Sequence, residues 1–294
     1  MSDTLESLKR KINGATDLES VVRTMKVLAA SNIIQYEKAV ISLIEYYRTV
    51  ELGLYVCFQK AGKINFMDKK TSDHKTIGAI VFGSDQGLVG QFNDVLSAFA
   101  SKYLANLKGS KRIWAVGDRI QSLLEDDKLP ISGLFSVPNS VNTITPVIGQ
   151  ILLDCDSERG KGDISQLYIF HNKPKPGALY EPTVQRLLPL DETWYQSVTQ
   201  TKWPTNYIPE AINGIAPTLH GIIRQYLFIS LFRACAESLA SENASRLAAM
   251  QRAEKNIDEL LEDLNRSFHR LRQATIDEEL FDVISGSEAL SAKK

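Results

Sequence analysis

The chain has 294 residues, 44% hydrophobic and 23% charged, room for one large domain or two modest ones of ordinary soluble composition. Lys plus Arg is 34 and Asp plus Glu is 35, a formal net charge of -1. That balance argues against a protein that coats nucleic acid, whose usual footprint is a basic domain. Cys57, Cys155 and Cys235, and His74, His171, His220 and His269, are scattered without C-x-x-C or zinc spacing. Free thiols in a reducing compartment are expected, with no metal site and no Cys/His nucleophile pair.

The start, Met-Ser-Asp-Thr-Leu-Glu, is acidic and polar, unlike the basic head and apolar run of a signal peptide. Residues 15–52 contain no glycine, and all ten prolines lie between Pro130 and Pro217. Inside a helix Pro costs about 3 kcal/mol and Gly about 1, so one long helix is predicted over residues 3–59. At about 1.5 Å per residue it is roughly 85 Å long. Tyr36, Val40, Leu43, Tyr47, Val50, Leu54 and Cys57 recur at alternating steps of three and four. This repeat winds paired helices into a left-handed supercoil, whereas a helix lying on a globular core shows a broader stripe.

The middle alternates strand and helix. Thr76–Phe82 is a continuous apolar run ending at Gly83, as a strand buried on both faces should be. Helices are predicted over residues 94–107, 119–125 and 145–154, and strands over 112–116, 134–137, 167–170 and 183–188. Strand, helix, strand, helix is the order of a doubly wound (Rossmann-like) α/β domain. The loop Gly83-Ser84-Asp85-Gln86-Gly87-Leu88-Val89-Gly90 lies where such folds bind nucleotides, because free N–H groups meet phosphate there. Its glycines are spaced G-x3-G-x2-G, not G-x-G-x-x-G, no acidic residue follows between Val95 and Gly109, and no Gly-Lys-Ser/Thr is present. A tight structural turn is the better reading.

Residues 222–285 again lack glycine. A second helix is predicted over residues 209–285, roughly 115 Å long at about 1.5 Å per residue. Leu247, Met250, Ile257, Leu261, Leu264, Phe268 and Leu271 form its seam, with Glu254 the one polar interruption. Two such helices predict a rod with much surface left for partners. The most apolar window, residues 226–232, is short and flanked by Arg224 and Arg233. A membrane span needs about 20 apolar residues, so membrane association is expected to come through partners. Acidic groups such as Asp154, Asp156 and Glu158, or Glu259, Glu262 and Asp263, read as solvated faces. No acid/base pair stands out, which leaves a mechanical or scaffolding protein carrying an α/β module. The chain so divides into an N-terminal coiled-coil helix (1–60), a central α/β domain (61–208) and a C-terminal coiled-coil helix (209–294).

Three stretches carry a family resemblance. Val22-Arg23-Thr24-Met25-Lys26-Val27-Leu28-Ala29-Ala30-Ser31 resembles the N-terminal signature of the gamma subunits of F-type ATP synthases. Residues 83–93 are similar to the Gly-Ser-Asp-Arg-Gly-Leu-Cys-Gly-Gly-Leu-Asn turn of that family. The most specific stretch is Glu237-Ser238-Leu239-Ala240-Ser241-Glu242-Asn243-Ala244-Ser245-Arg246-Leu247-Ala248-Ala249-Met250, continued by Arg272-Gln273-Ala274-Thr275-Ile276 and by residues 285–290. Departures from the pattern are Asn32 for Lys, Gln86 for Arg, Val89 for Cys and Asp277 for Thr. They point to a divergent branch, such as the alternate type of bacterial or archaeal enzyme. The dithiol insertion of light-regulated chloroplast enzymes is missing.

The resemblance implies a non-catalytic rotor shaft. Its two helices would form an antiparallel coiled coil inside a ring of alpha and beta subunits, the α/β domain resting with an epsilon-type subunit on the membrane ring of c subunits. ATP chemistry would belong to the beta subunits. The shaft would carry no cofactor, small-molecule substrate or nucleic acid. The complex would sit on the cytoplasmic face of the plasma membrane. Position in the motifs implies partner contacts for Met25, Lys26, Arg246, Arg272, Gln273 and Glu279, with Met25 and Lys26 facing a beta-subunit lever and Arg272 and Gln273 a loop that grips the shaft. Two other classes are an α/β nucleotide-binding enzyme with helical arms, which needs a ligand at residues 83–90, and a stand-alone coiled-coil scaffold.

Overall fold

The computed structural model describes residues 4–61, 76–160, 164–176, 178–190, 192–199, 203–205, 207–212 and 214–291. Its elements in chain order are α1 (Leu5–Ala61), β1 (Thr76–Phe82), α2 (Phe92–Ala105), β2 (Ser110–Val116), α3 (Asp118–Asp126), β3 (Ile131–Phe135), α4 (Val141–Gly160), β4 (Ile164–Lys175), β5 (Ala178–Leu188), α5 (Glu192–Thr199) and α6 (Ile215–Ser291). The chain separates into two compact units, residues 1–28 with 247–294, and residues 29–246.

Both long helices form where proline is absent. α1 runs 57 residues and α6 runs 77. The predicted start of α1 at residue 3 lies outside the described residues. α6 begins at Ile215, later than expected, because Gly214 takes φ +85° and Pro217 falls in the first turn, where its missing N–H costs nothing. It continues through Gly286 instead of stopping there. α1 also contains an 18-residue window of mean hydropathy 1.2, enough by length and composition to cross a membrane. The expectation that residues 226–232 are the most apolar window is corrected on this point. Glu37 and Lys38 interrupt the apolar stretch 27–44, and a charged side chain at a bilayer centre costs about 3 kcal/mol or more.

In residues 29–246 the five strands form one sheet in the order β3-β2-β1-β4-β5. β1 pairs parallel with β2 and β4, β2 parallel with β3, and β5 is the antiparallel edge strand. β1 is buried on both faces, so its side chains alternate between two cores. Ile77, Ala79 and Val81 pack with Leu96, Ala100 and Leu104 of α2 and with Ile120 and Leu124 of α3. Ile80 and Phe82 face the other way, in a core with Leu54 and Phe58 of α1, Ile148 and Ile151 of α4, and Ile229 and Leu231 of α6. The seam positions of α1 from Tyr36 to Cys57 are buried or half-buried here. α5, which sequence periodicity did not reveal, sets Trp194 5.8 Å from Phe58 and 5.2 Å from Tyr226 between ring centres. Cys57, Cys155 and Cys235 are free and buried. Burial pushes the Cys155 thiol up to about 12 and raises those of Cys57 and Cys235 as well.

Candidate functional site: a bonded loop and a paired-helix surface

The strand order reverses between β1 and β4, the switch point at whose carboxyl ends doubly wound folds bind ligands. In this chain the loop beside that crevice is tied down by internal hydrogen bonds. Ser84 N–H donates to Asn93 Oδ1 at 3.0 Å, and Asn93 Nδ2 donates back to Ser84 Oγ at 2.7 Å. The Asp85 carboxylate accepts the N–H of Asp118, at the start of α3, at 3.2 Å and that of Val137 at 3.1 Å. Asp85 thus stands where an anion would sit at a helix N-terminus, and its charge would repel a phosphate. α6 bonds to both ends of the same segment: Ser238 Oγ donates to Phe82 O at 2.8 Å and Ser245 Oγ to Val89 O at 2.5 Å. The loop of residues 83–90 is a hub of internal hydrogen bonds.

A second buried link joins β4 to α6. His171 Nε2 lies 2.9 Å from Glu237 Oε2, and Arg233 Nε donates to Glu237 Oε1 at 2.8 Å. A carboxylate only accepts, so the imidazole carries its proton on Nε2. Burial raises the Glu237 carboxyl, but the hydrogen bonds from His171 and Arg233 outweigh it and hold the group below its usual range. A depressed carboxyl stabilises the fold above its unfolded value, about 4.3, and that contribution is lost as pH falls through the folded value. Glu237→Gln should therefore lower stability at pH 7 and shed less further stability below about pH 4.3 than wild type. Urea unfolding across pH reads this, and parallel acid limbs in the two proteins would refute it.

In the unit of residues 1–28 and 247–294, Leu8 and Ala15 are buried, and Ile12, Glu19, Val22 and Lys26 continue the same three-four spacing half-buried. The α6 seam answers with Met250 buried and Ile257, Leu261, Leu264, Phe268 and Leu271 half-buried. Glu254, the polar interruption, is a centre of charge pairing. Lys26 Nζ donates to Glu254 Oε2 at 2.5 Å, Arg23 Nε to Glu254 Oε1 at 3.4 Å, and Arg23 also pairs with Glu19 at 2.5 Å. The Lys26 hydrogen bond comes first in holding the Glu254 carboxyl below its usual range. A polar group at a seam position fixes register at some cost in stability.

The residues singled out for partner contact lie in three settings. Lys26 is engaged with Glu254, and Met25 beside it is half-buried. Arg246 belongs to the unit of residues 29–246, where it donates to the buried Glu242 at 2.7 Å. Arg272, Gln273 and Glu279 are exposed on α6. Large apolar side chains are exposed in the same unit: Val27 is 66% exposed, Phe281 68% and Val283 72%. Sequence reading missed Ser238, Ser245, and the pairing of His171 with Glu237, because nothing in spacing says which buried polar groups meet across 66 or 156 residues. The lone Glu254 in an apolar seam was the one available signal for the Arg23 and Lys26 pairs.

Residues 4–290 match the family model described as ATP synthase. The gamma chain of Caldicellulosiruptor saccharolyticus ATP synthase is 27% identical, covering 99% of this chain and 100% of the relative. That of Psychrobacter cryohalolentis is also 27% identical, covering 98% and 99%. Among solved structures, the rotor of Euglena gracilis mitochondrial ATP synthase is similar at TM-score 0.60 and 15% identity, covering 92% of this chain and 98% of that one. The central stalk of Tetrahymena thermophila mitochondrial ATP synthase is similar at TM-score 0.55 and 21% identity, covering 79% and 99%. The match over nearly the whole length, on a fold of two long helices around a five-stranded domain, is decisive: the chain belongs to the ATP synthase family as a gamma chain, the non-catalytic central rotor subunit of a membrane-associated complex.

Proposed function

We propose that the chain turns within a ring of alpha and beta subunits, with residues 1–60 and 209–294 as the shaft. Residues 61–208 form its foot, held with an epsilon-type subunit on a ring of c subunits at the cytoplasmic face of the plasma membrane. The observation that carries this is the exposed apolar surface of α1 and α6 in the unit of residues 1–28 and 247–294. A two-helix structure with such a surface needs a sleeve that covers it and still permits rotation. Similarity to structures of rotor and central stalk supports the same placement. The Asp85 carboxylate at the N-terminus of α3, where a phosphate would otherwise bind, supports chemistry being done elsewhere, by the beta subunits.

Within that reading, Met25, Lys26, Arg246, Arg272, Gln273 and Glu279 are proposed contacts. Arg272 and Gln273 are the sharpest test because both are exposed and directly follow the half-buried Leu271. Hydrogen bonds to a beta-subunit loop, at least one charge-assisted, would be worth about 1.5–3 kcal/mol. A solvated helix residue would be worth less than about 0.5 kcal/mol. Arg272→Ala with Gln273→Ala should leave the chain folded and lower ATP synthesis in membrane vesicles, normalised to assembled complex, or lower assembly itself. The loss is expected to be partial, since many contacts share the bearing. Wild-type synthesis together with wild-type assembly would show that these side chains grip nothing.

A further inference from the structure

We propose that the buried hydrogen bonds of Glu237, Ser238 and Ser245 form the torsional joint of this chain, the place where rotation of the α/β domain is handed to α6. The proposal rests on the rotor reading and adds the residues that carry the twist.

Apolar packing alone is a poor torsional coupling. Burial of Ile229, Leu231 and Leu239 of α6 holds the helix on the domain, but the hydrophobic effect has no direction. A helix that rolls or slides slightly keeps most of its buried area. Hydrogen bonds weaken steeply when distance or angle departs from the optimum, so they resist such displacement.

The three anchors are arranged to fix a helix in every sense. Ser238 and Ser245 are one heptad apart, within about 20° of each other round the helix and about 10 Å apart along it. Glu237 is rotated from Ser238 by about 100°. Three points that do not lie on a line fix azimuth, tilt and axial position together. Their partners come from separate parts of the domain: Phe82 O at the end of β1, Val89 O in the turn before α2, and His171 Nε2 on β4. Two partners are backbone carbonyls, which cannot follow a moving helix by changing rotamer. All three anchors are buried, Ser238 to 2% exposure. Water therefore cannot take over a broken bond, and a partner left unpaired keeps its full desolvation penalty.

The test uses the assembled complex. With the catalytic ring immobilised and the enzyme stalled, a probe on the α/β domain at the exposed Lys102 (Lys102→Cys, labelled) reports angular fluctuation, whose inverse variance is torsional stiffness. Ser238→Ala with Ser245→Ala removes two anchors while leaving Glu237 and the outer surface intact. Stiffness should fall by about a factor of three, since one of three directional anchors remains, while ATP hydrolysis per assembled complex stays at the wild-type value. Measuring well below the melting temperature separates this from general loosening. If the double variant does not assemble, Ser238→Ala and Ser245→Ala alone should each give a smaller loss. Wild-type stiffness in assembled complexes of the variants would overturn the joint. A wild-type complex in which the Lys102 probe fails to rotate during hydrolysis would instead overturn the rotor reading on which the joint depends.

Discussion

Gly83→Ala should destabilise the α/β domain by about 3 kcal/mol or more, or prevent its folding, although it adds one methyl group. Gly83 ends β1 and donates its N–H to Val116 O at 2.9 Å, which ties it to the end of β2. A Cβ there would overlap Cβ and Cγ2 of Ile120 and lie 2.9 Å from Asn93 Oδ1. Neither neighbour can give way. Ile120 is wholly buried in the core beneath α3, and Asn93 is held by two hydrogen bonds to Ser84. The same substitution elsewhere should do the opposite. Gly14 and Gly149 lie in helices with nothing within 4 Å of an added Cβ, so alanine should stabilise by about 0.5–1 kcal/mol. Urea unfolding of the three variants measures the contrast. Gly83→Ala within about 1 kcal/mol of wild type, the effect of an ordinary point mutation, would mean that the loop is not the tight hub its hydrogen bonds indicate.

Removal of residues 5–28 should free the C-terminal part of α6 from protection against hydrogen exchange and make the chain aggregate. Met250, Ile257, Leu261, Leu264, Phe268 and Leu271 would lose the seam that covers them, and each half-buried Leu or Phe left in water forfeits roughly half of the 1.5–3 kcal/mol that full burial is worth. A helix without tertiary packing is marginal in water, so the opening free energy of residues 250–275 should drop towards zero. Deletion also strips Glu254 of Arg23 and Lys26, which turns a paired charge into a solvated one and removes what fixes register. Exchange protection of residues 250–275 that survives the deletion would show that α6 stands without its partner.

Much of this was legible from residues alone, and the pattern of success is physical. β1 was read to the residue because an unbroken apolar run between polar ends has one interpretation in a buried strand. The long helices and their seams were legible because a 3.5-residue repeat over many turns rarely arises by accident. Elements defined by partners were read short. β4 extends over Ile164–Lys175, well beyond the apolar residues 167–170, because antiparallel pairing with β5 orders its polar ends. α4 begins at Val141, before the expected residue 145. Thr143 Oγ1 accepts the Ser140 N–H at 3.2 Å and starts the helix, and Pro146 is tolerated inside it. At the candidate site, the glycine spacing pointed to a tight turn, and the loop is bonded internally through Ser84 and Asn93. Which side chains bond to that segment could not be read, since Ser238 and Ser245 reach acceptors 156 residues away.

The three buried cysteines have a practical consequence for anyone labelling this subunit. Maleimides and disulfide reagents attack the thiolate, and the rate follows how much thiolate is present and whether the reagent can reach it. Cys155, at 5% exposure and pushed up to about 12, offers neither, and Cys57 and Cys235 are equally enclosed. The wild-type chain is therefore silent towards such reagents while folded. A cysteine placed on an exposed position is the one the reagent finds, so site-specific attachment needs no prior removal of native thiols. Appearance of extra label then becomes a sensitive alarm for local opening of the core.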